Sequence, residues 1–199
     1  MKLVQLVFIL AFGIWLSSCG TATPEEAAAR TIQTVPLEQR LNVTKSAPEG
    51  VLILWRSRNP IGDRVEIGYG HVKQTLLGWQ TQQALGTEAN LGIAVPELDE
   101  PVPFYFSSPD NPNDATIVFG FAQDERVTQM RVTFSDRATK SDDAELRMFG
   151  IMTAPKFAPC EIELRDAQDN LLYRYSLHQD PDEFVFDDEI IKWAKRECK

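Results

Sequence analysis

Histidine and cysteine, which most often carry catalysis and bind transition metals, are scarce in this chain. Its 199 residues include two histidines, His71 and His178, and three cysteines. A zinc site needs about four ligands, and two histidines so far apart in sequence supply few of them. The chain also has no G-x-S-x-G, S-x-x-K, H-E-x-x-H, Walker or dinucleotide-binding glycine motif. These absences favour a protein that is not an enzyme and uses no metal or cofactor.

An excess of basic charge is also missing. The formal net charge is −9. Proteins that bind nucleic acid neutralise phosphates with lysine and arginine, so an acidic chain argues against a nucleic-acid partner. Hydrophobic residues make up 43 % of the chain, which is enough for a folded core.

Long hydrophobic runs are absent except at the start of the chain. Lys2 precedes an apolar run over residues 3–16, interrupted by Gln5 and Gly13. This run is shorter than the roughly 20 residues that span a bilayer. A basic residue followed by a short apolar segment is typical of a secretory signal.

The apolar run ends in Leu16-Ser17-Ser18-Cys19-Gly20, which resembles the lipobox of bacterial lipoproteins. In a lipobox the cysteine thiol receives a diacylglyceryl group, and cleavage makes that cysteine the new N-terminus. The two acyl chains of this group, with or without a further one such as palmitate, bind a membrane stably, whereas one acyl chain alone holds only marginally. We therefore expect Cys19 to anchor the protein at the extracytoplasmic face of the cell membrane. Gly20, rather than aspartate, favours the outer membrane in a Gram-negative host. The alternatives are an uncleaved anchor and a secreted protein with an incidental cysteine.

The sequence predicts three segments. Residues 1–18 form the lipoprotein signal peptide. Residues 19–49 form a lipidated tether with a short helix, since Thr23, Pro24 and Glu26 have the spacing of a helix N-terminus. Residues 50–199 form a single β-rich domain that ends in a helix over about 187–197.

Within that domain, short apolar or alternating segments recur about every ten residues, with turn-forming residues between them. This pattern predicts a mainly β fold, an antiparallel sandwich with an immunoglobulin-like rhythm in its C-terminal half. We expect strands over 51–56, 64–72, 79–83, 103–107, 115–122, 127–134, 144–148, 150–154, 160–166 and 171–177, and a loop over 135–142.

The cysteine count favours one disulfide. If Cys19 is acylated, Cys160 and Cys198 remain in an exported chain. An even remainder outside the cytoplasm favours a bond between them. The alternative is two free thiols.

Other residues offer weaker signals. Trp55, Tyr69 and Trp79 are candidates for an aromatic platform that stacks on a sugar or anchors a peptide, although such residues more often fill a core. His71 is a candidate general base, and His178 with Asp180 and Asp182 is a candidate metal site. Residues 110–114 carry oxygen ligands for Ca²⁺ but lack the glycine and distal glutamate of an EF-hand loop. Each of these three features more often has a structural explanation: a packing residue, a solvated loop and a plain turn, respectively.

Several of these segments resemble one group of proteins. The segments are 51–55 (VLILW), 72–79 (VKQTLLGW), 118–120, 127–132 and 160–175. They are similar to small lipoproteins of Gram-positive spore-forming bacteria, in which a strand is followed by a V-K-K-x-h-h-G-W-K-W segment, h being apolar. The resemblance implies a surface location and a β-rich fold, and it implies no activity.

The chain departs from that pattern at Gln80 and Thr81, where the group often has a basic residue and a second tryptophan. The function that we expect is a membrane-anchored, non-enzymatic binding module for an envelope component or a protein partner. The alternatives are a structural or envelope-stress protein without a ligand site and, less favoured, an envelope hydrolase.

Overall fold

A computed structural model of the chain describes residues 21–31, 40–58, 65–84, 93–94, 104–107, 115–154, 157–179 and 188–198. These residues form twelve strands and two short helices, so the predicted mainly β fold is confirmed. The elements in chain order are α1 (Pro24–Thr31), β1 (Arg40–Ala47), β2 (Gly50–Arg58), β3 (Val65–Thr75), β4 (Gly78–Ala84), β5 (Ile93–Ala94), β6 (Phe104–Ser107), β7 (Thr116–Phe121), β8 (Gln129–Phe134), β9 (Thr139–Asp143), β10 (Met148–Thr153), β11 (Pro159–Arg165), β12 (Leu171–Ser176) and α2 (Asp188–Glu197).

The described strands form three antiparallel sheets. The first sheet has the order β1-β2-β3-β4, with β5 beside β3. The second has the order β10-β7-β6, and the third has the order β12-β11-β8-β9. Most neighbours in the sheets are also neighbours in the chain, as hairpin connections require.

The second sheet packs on both of its faces. On one face the Phe119 ring of β7 lies 4.9 Å from the Tyr69 ring of the first sheet, measured between ring centroids. On the other face Val118 and Phe149 share a core cluster with Val132 of the third sheet. β7 and β10 are therefore buried along their whole length, which explains why both read as continuous apolar runs rather than alternating ones.

The third sheet shows the opposite pattern. In β8, Met130, Val132 and Phe134 are buried, while the residues between them are partly exposed. One face of this sheet therefore packs on the core and the other meets solvent, as the alternation predicts.

The structure differs from the predicted tether over 19–49. β1 pairs with β2 from Arg40 to Ala47, so this segment belongs to the first sheet. The predicted helix start is confirmed, because the Glu26 amide donates a hydrogen bond to Thr23 Oγ1 at 3.2 Å. That helix packs on the sheet, with Ala28 buried. Residues 24–31 and 40–47 are thus elements of the fold rather than a tether that precedes it.

The predicted loop over 135–142 is also wrong, since it contains β9. The strands predicted over 144–148 and 150–154 are replaced by the single strand β10. Leu146 and Arg147 have φ angles of 51° and 67°, so they form a tight turn just before β10.

Candidate functional site

His71 lies inside the fold rather than in a reactive site. Its side chain is 0 % exposed, and its Nε2 donates a hydrogen bond to the Glu49 carbonyl oxygen at 3.1 Å. Gly50 allows this close approach, since a Cβ there would lie 2.7 Å from His71 Nε2. Gly50 also has a φ of 141°, which disfavours any larger residue. His71 therefore has no access to a solvent-borne substrate, and its position argues against a general base.

The predicted metal sites fall mostly outside the described residues. His178 is described, and its Nδ1 lies 3.3 Å from the Cys160 carbonyl oxygen. Asp180, Asp182 and the 110–114 loop lie outside the described residues. Within the described ranges, no group of three or more His, Cys, Asp or Glu side chains is arranged to hold a metal ion.

The structure does not bring Trp55, Tyr69 and Trp79 together on one exposed face. Trp55 is 0 % exposed, and it packs with Trp79 on the face of the first sheet that α1 covers. Tyr69 lies on the opposite face, against Phe119. The predicted aromatic platform is therefore wrong. The pairing register explains why. Tyr69 pairs with Leu54 rather than with Trp55. Because successive residues of a strand point to opposite faces of the sheet, Trp55 and Tyr69 lie on opposite faces.

The predicted disulfide between Cys160 and Cys198 is confirmed. Cys160 of β11 and Cys198, just after α2, are joined by a disulfide with a Cα–Cα distance of 5.6 Å. Both are buried in the core cluster of the third sheet. Cys19 and the predicted signal peptide over residues 1–18 lie outside the described residues, so both the signal and acylation at Cys19 stay predictions.

A cleft of about 540 Å³ lies where the three sheets meet. Its walls come mainly from β1, β9 and β10, with Leu52 of β2. Among the described strands, β1, β9 and β10 each lie at the edge of their own sheet. The lining combines apolar side chains, hydroxyls and charged groups: Thr44, Lys45, Ser46, Ala47, Pro48, Leu52, Lys140, Ser141, Asp142, Gly150, Ile151 and Met152. Ligand sites typically combine an apolar lining with a few fixed polar groups in this way.

The first polar link across the cleft centres on Asp142 of β9. One carboxylate oxygen accepts a hydrogen bond from the Gly150 amide of β10 at 2.9 Å. The other lies 2.9 Å from the Lys45 ammonium of β1. Lys45 also donates to the Asp143 carbonyl oxygen at 2.9 Å. A single carboxylate thus connects the edge strands of all three sheets.

The second link centres on Lys140 of β9. Its ammonium donates to the Met152 carbonyl oxygen at 2.7 Å and forms an ion pair with Glu49 at 3.2 Å. Glu49 lies in the β1–β2 turn, and its backbone carbonyl is the group that holds His71. Side chains of β9 therefore form hydrogen bonds with backbone groups on the outer edge of β10, which could otherwise pair with a further strand.

Burial changes the pKa of one carboxyl in the cleft, that of Asp142. Burial raises the pKa of the Asp142 carboxyl above its usual range, while the Gly150 amide and the Lys45 ammonium oppose that rise. A carboxylate that is partly removed from water holds its ion pair in a medium of lower dielectric constant. The attraction between Lys45 and Asp142 is therefore less screened than that of an exposed pair, but the raised pKa of Asp142 shows that burial costs the carboxylate more than its partners offset.

No protein-family model, no curated protein and no solved structure matches this chain. Neither of the two described helices is long and apolar enough to cross a membrane. The function must therefore be argued from the residues and the geometry.

Sequence reasoning missed the cleft because its parts carry weak local signals. β9 (TKSDD) reads as a polar loop, and β1 (RLNVTKSA) has only a weak alternation. Lys45 of the first sheet and Asp142 of the third are far apart in sequence, and only the packing of the sheets against one another brings them together. A useful signal was available in the unusually polar composition of β9, which is typical of a charged edge strand.

Proposed function

We propose that the protein is a lipid-anchored extracytoplasmic binding module without enzymatic activity. Its ligand is an extended peptide segment of a partner protein, taken up in the cleft between β1, β9 and β10. The observation that carries this proposal is the convergence of three edge strands on one open cleft.

The anchoring part of the proposal rests on the chemistry of the N-terminal segment. Leu16, Ser17, Ser18 and Cys19 have the residue types and order that lipid transfer and cleavage require. The Cys160–Cys198 disulfide supports an oxidising, extracytoplasmic location, because such bonds are rare in the cytosol. It also leaves Cys19 as the one remaining cysteine in the sequence.

The binding part rests on the chemistry of sheet edges. An edge strand offers backbone N–H and C=O groups with which an extended peptide can pair as an added strand. Here the side chains of Lys140 and Asp142 already form hydrogen bonds with backbone groups of β10. A peptide can take over such bonds when it pairs with the strand edge. Burial of His71 weighs against an envelope hydrolase.

One observation favours the structural alternative. The charged groups of the cleft are already paired with one another, Lys45 with Asp142 and Lys140 with Glu49. A network of this kind can serve only to hold the sheets together. In that case the cleft would bind nothing, and deletion of the gene would affect envelope integrity alone.

Anchoring is tested by mass spectrometry of the mature N-terminal peptide from the native host. We expect an acylated cysteine at residue 19, and we expect Cys19→Ser to abolish both acylation and membrane retention. An unmodified N-terminus, or unchanged retention of Cys19→Ser, would show that the anchor is not a lipid on Cys19.

Binding is tested by photocrosslinking in the host. A benzophenone amino acid replaces Ser46, an exposed residue of β1 in the cleft wall, and in a matched control it replaces Gln168 in the exposed β11–β12 turn. We expect a discrete protein adduct from Ser46 and none from Gln168. A synthetic peptide from the crosslinked region should then compete for the cleft. Equal yields at both positions, or no adduct at all, would favour the structural alternative.

A further inference from the structure

The turn between β3 and β4 exposes two leucines. Leu76 is fully exposed and Leu77 is 56 % exposed, the two largest exposures among the large hydrophobic side chains of the described chain. Polar residues are usual at such a turn, since hydrophobic side chains there gain nothing from folding. Their position at the end of a hairpin therefore calls for a second explanation.

This hairpin tip has a fixed shape. Thr75 Oγ1 donates a hydrogen bond to the Gly78 carbonyl oxygen at 2.8 Å and accepts one from the Leu77 amide at 3.2 Å. Gly78 has a φ of 106°, which a residue with a side chain rarely adopts. The two leucines are thus presented by a closed turn rather than by a frayed end.

The N-terminal part of the chain is tied to the base of this tip. The Thr21 amide donates to the Trp79 carbonyl oxygen at 3.2 Å, and the Trp79 amide donates to the Thr21 carbonyl oxygen at 3.1 Å. Thr21 is buried at this junction. Cys19 is only two residues before Thr21, and two residues of chain span at most about 7 Å. A lipid on Cys19 therefore starts close to the hairpin.

The composition of the hairpin suits a lipid surface. Residues 74–84 contain no charged side chain, although the chain as a whole has a net charge of −9. Trp79 is half-buried beside the tip, and tryptophan favours the interface between headgroups and acyl chains. Lys73 lies just before this uncharged stretch, where its ammonium can reach anionic headgroups.

We propose that Leu76 and Leu77 insert into the bilayer interface beside the lipid on Cys19 and form a second, non-covalent contact with the membrane. This inference rests on the proposed lipid anchor. Two leucines alone hold a protein weakly, but the anchor keeps them continuously close to the surface, which makes the contact effective. Two points of attachment would also set the orientation of the domain on the membrane.

A second copy of this chain is a poorer occupant for the tip. A stable protein interface buries about 800 Å² on each partner, and two side chains on a narrow hairpin fall far short of that area. The membrane is also the one apolar partner that the position of Thr21 places nearby.

The test measures how deeply the tip enters the bilayer. Leu76→Cys is introduced into the full lipidated protein, labelled with the environment-sensitive fluorophore NBD, and reconstituted into phosphatidylethanolamine–phosphatidylglycerol vesicles with a doxyl-labelled lipid. The introduced thiol is the only reactive one if Cys19 is acylated, because Cys160 and Cys198 are bonded. The matched control is Leu171→Cys, at an exposed leucine of the third sheet.

We expect a blue shift and strong doxyl quenching at position 76, and neither at position 171. Equal quenching at the two positions would overturn the proposal, as would protection at position 76 that depends on protein concentration rather than on lipid. Mass spectrometry of the same sample reports acylation of Cys19. Absence of the lipid would refute the anchor, whereas a lipidated protein with a water-exposed position 76 would refute only the insertion.

A second variant measures the strength of the contact. Leu76→Ser and Leu77→Ser in the lipidated protein should each speed its transfer from donor to acceptor vesicles by about ten-fold, given the transfer free energy of a leucine side chain. Leu171→Ser should leave the rate unchanged. Equal rates for all three variants would contradict the proposal.

Discussion

The two helices of the described chain cover different sheets and are held there by different means. α1 lies on the first sheet, where Ala27 and Ala28 are buried with Trp55. α2 lies at the third sheet, where Ala194 is buried and the disulfide partner Cys198 follows the last turn. The first helix is thus held by packing and hydrogen bonds, and the second by packing and a covalent bond.

Both helices are too short to be stable alone, and they gain support from the rest of the fold in different ways. α1 has 8 residues and α2 has 10, and helices this short are marginal in water without tertiary support. α1 gains its support from a fully buried indole, and from Thr81, whose hydroxyl donates to the Ala27 carbonyl oxygen at 2.9 Å. α2 packs Ala194 into the core cluster and is also joined to β11 by the Cys160–Cys198 disulfide. The attachment of α1 therefore depends on how well the helix packs against the sheet, whereas that of α2 also depends on redox conditions.

The largest expected effect comes from removing the covalent bond. We expect Cys160→Ser with Cys198→Ser to lower the free energy of unfolding by about 4 kcal/mol, because the bond closes a loop across 38 residues. Urea denaturation measures this loss. Hydrogen exchange should show lost protection in α2 and unchanged protection in α1. Equal loss in both helices would show that they are not held independently.

The packed helix is tested through Gly68, which lies under Trp55. A Cβ at Gly68 would lie 2.4 Å from Trp55 Cζ2, and the buried indole cannot move away. We expect Gly68→Ala to lower the free energy of unfolding by about 3 kcal/mol, since overpacking a core displaces its neighbours. Here hydrogen exchange should rise in α1 rather than in α2.

Gly150 provides the matched control on the other side of β2. A Cβ there would lie 2.6 Å from Leu52 Cδ2 and 2.9 Å from Leu54 Cδ1. These are the ends of flexible side chains that can rotate, so we expect Gly150→Ala to cost about 1 kcal/mol. A cost as large as that of Gly68→Ala would mean that the leucines are as fixed as the indole.

Between the two helix-covered sheets, the Lys45–Asp142 pair joins the sheet edges. Lys45→Met should lower the free energy of unfolding by about 2 kcal/mol, because it leaves a partly buried carboxylate without its ion pair. In a double-mutant cycle, Asp142→Asn should remove most of this loss. Purely additive effects would show that the pair contributes nothing beyond its separate side chains.

The smallest effect is a pH dependence in which two carboxyls act in opposite directions. Burial raises the pKa of Asp142 above its ordinary 3.8, so the folded state binds this proton more tightly, and stability falls as pH rises from 3.8 to that raised value. The Arg126 side chain, with the Arg126 amide and the Tyr173 hydroxyl, holds the pKa of Asp124 well below 3.8. That stability is present above 3.8 and is lost as pH falls towards the lowered value.

Unfolding measured from pH 2 to pH 7 should separate these two contributions. Asp142→Asn should remove the fall in stability with rising pH, and Asp124→Asn should remove the loss at acid pH. Identical profiles for both variants would contradict the opposite shifts.

The strands that the sequence predicted well share a strong local pattern. β8 and β11 alternate, and the turn before β12 carries Asp169 with a φ of 66°, as a hairpin turn of this kind requires. β1 and β9 were missed because edge strands often carry polar residues, which discourage pairing with other chains. In the sequence alone, such a polar strand cannot be told from a loop. The aromatic platform failed for a related reason, since which face a strand residue occupies depends on pairing register.

By itself, the sequence determined the predominance of β structure, the helix starts and the pairing of Cys160 with Cys198. From residues 1–19 it also predicts an export signal and acylation at Cys19, which stay predictions. These properties depend on local spacing, on residue count or on the chemistry of single side chains. Only the tertiary structure decided that three sheet edges share one cleft, that Trp55 is buried under α1, and that Thr21 pairs with Trp79 at the base of the hairpin that exposes the two leucines. Those relations join residues far apart in the chain, and no local interaction specifies them.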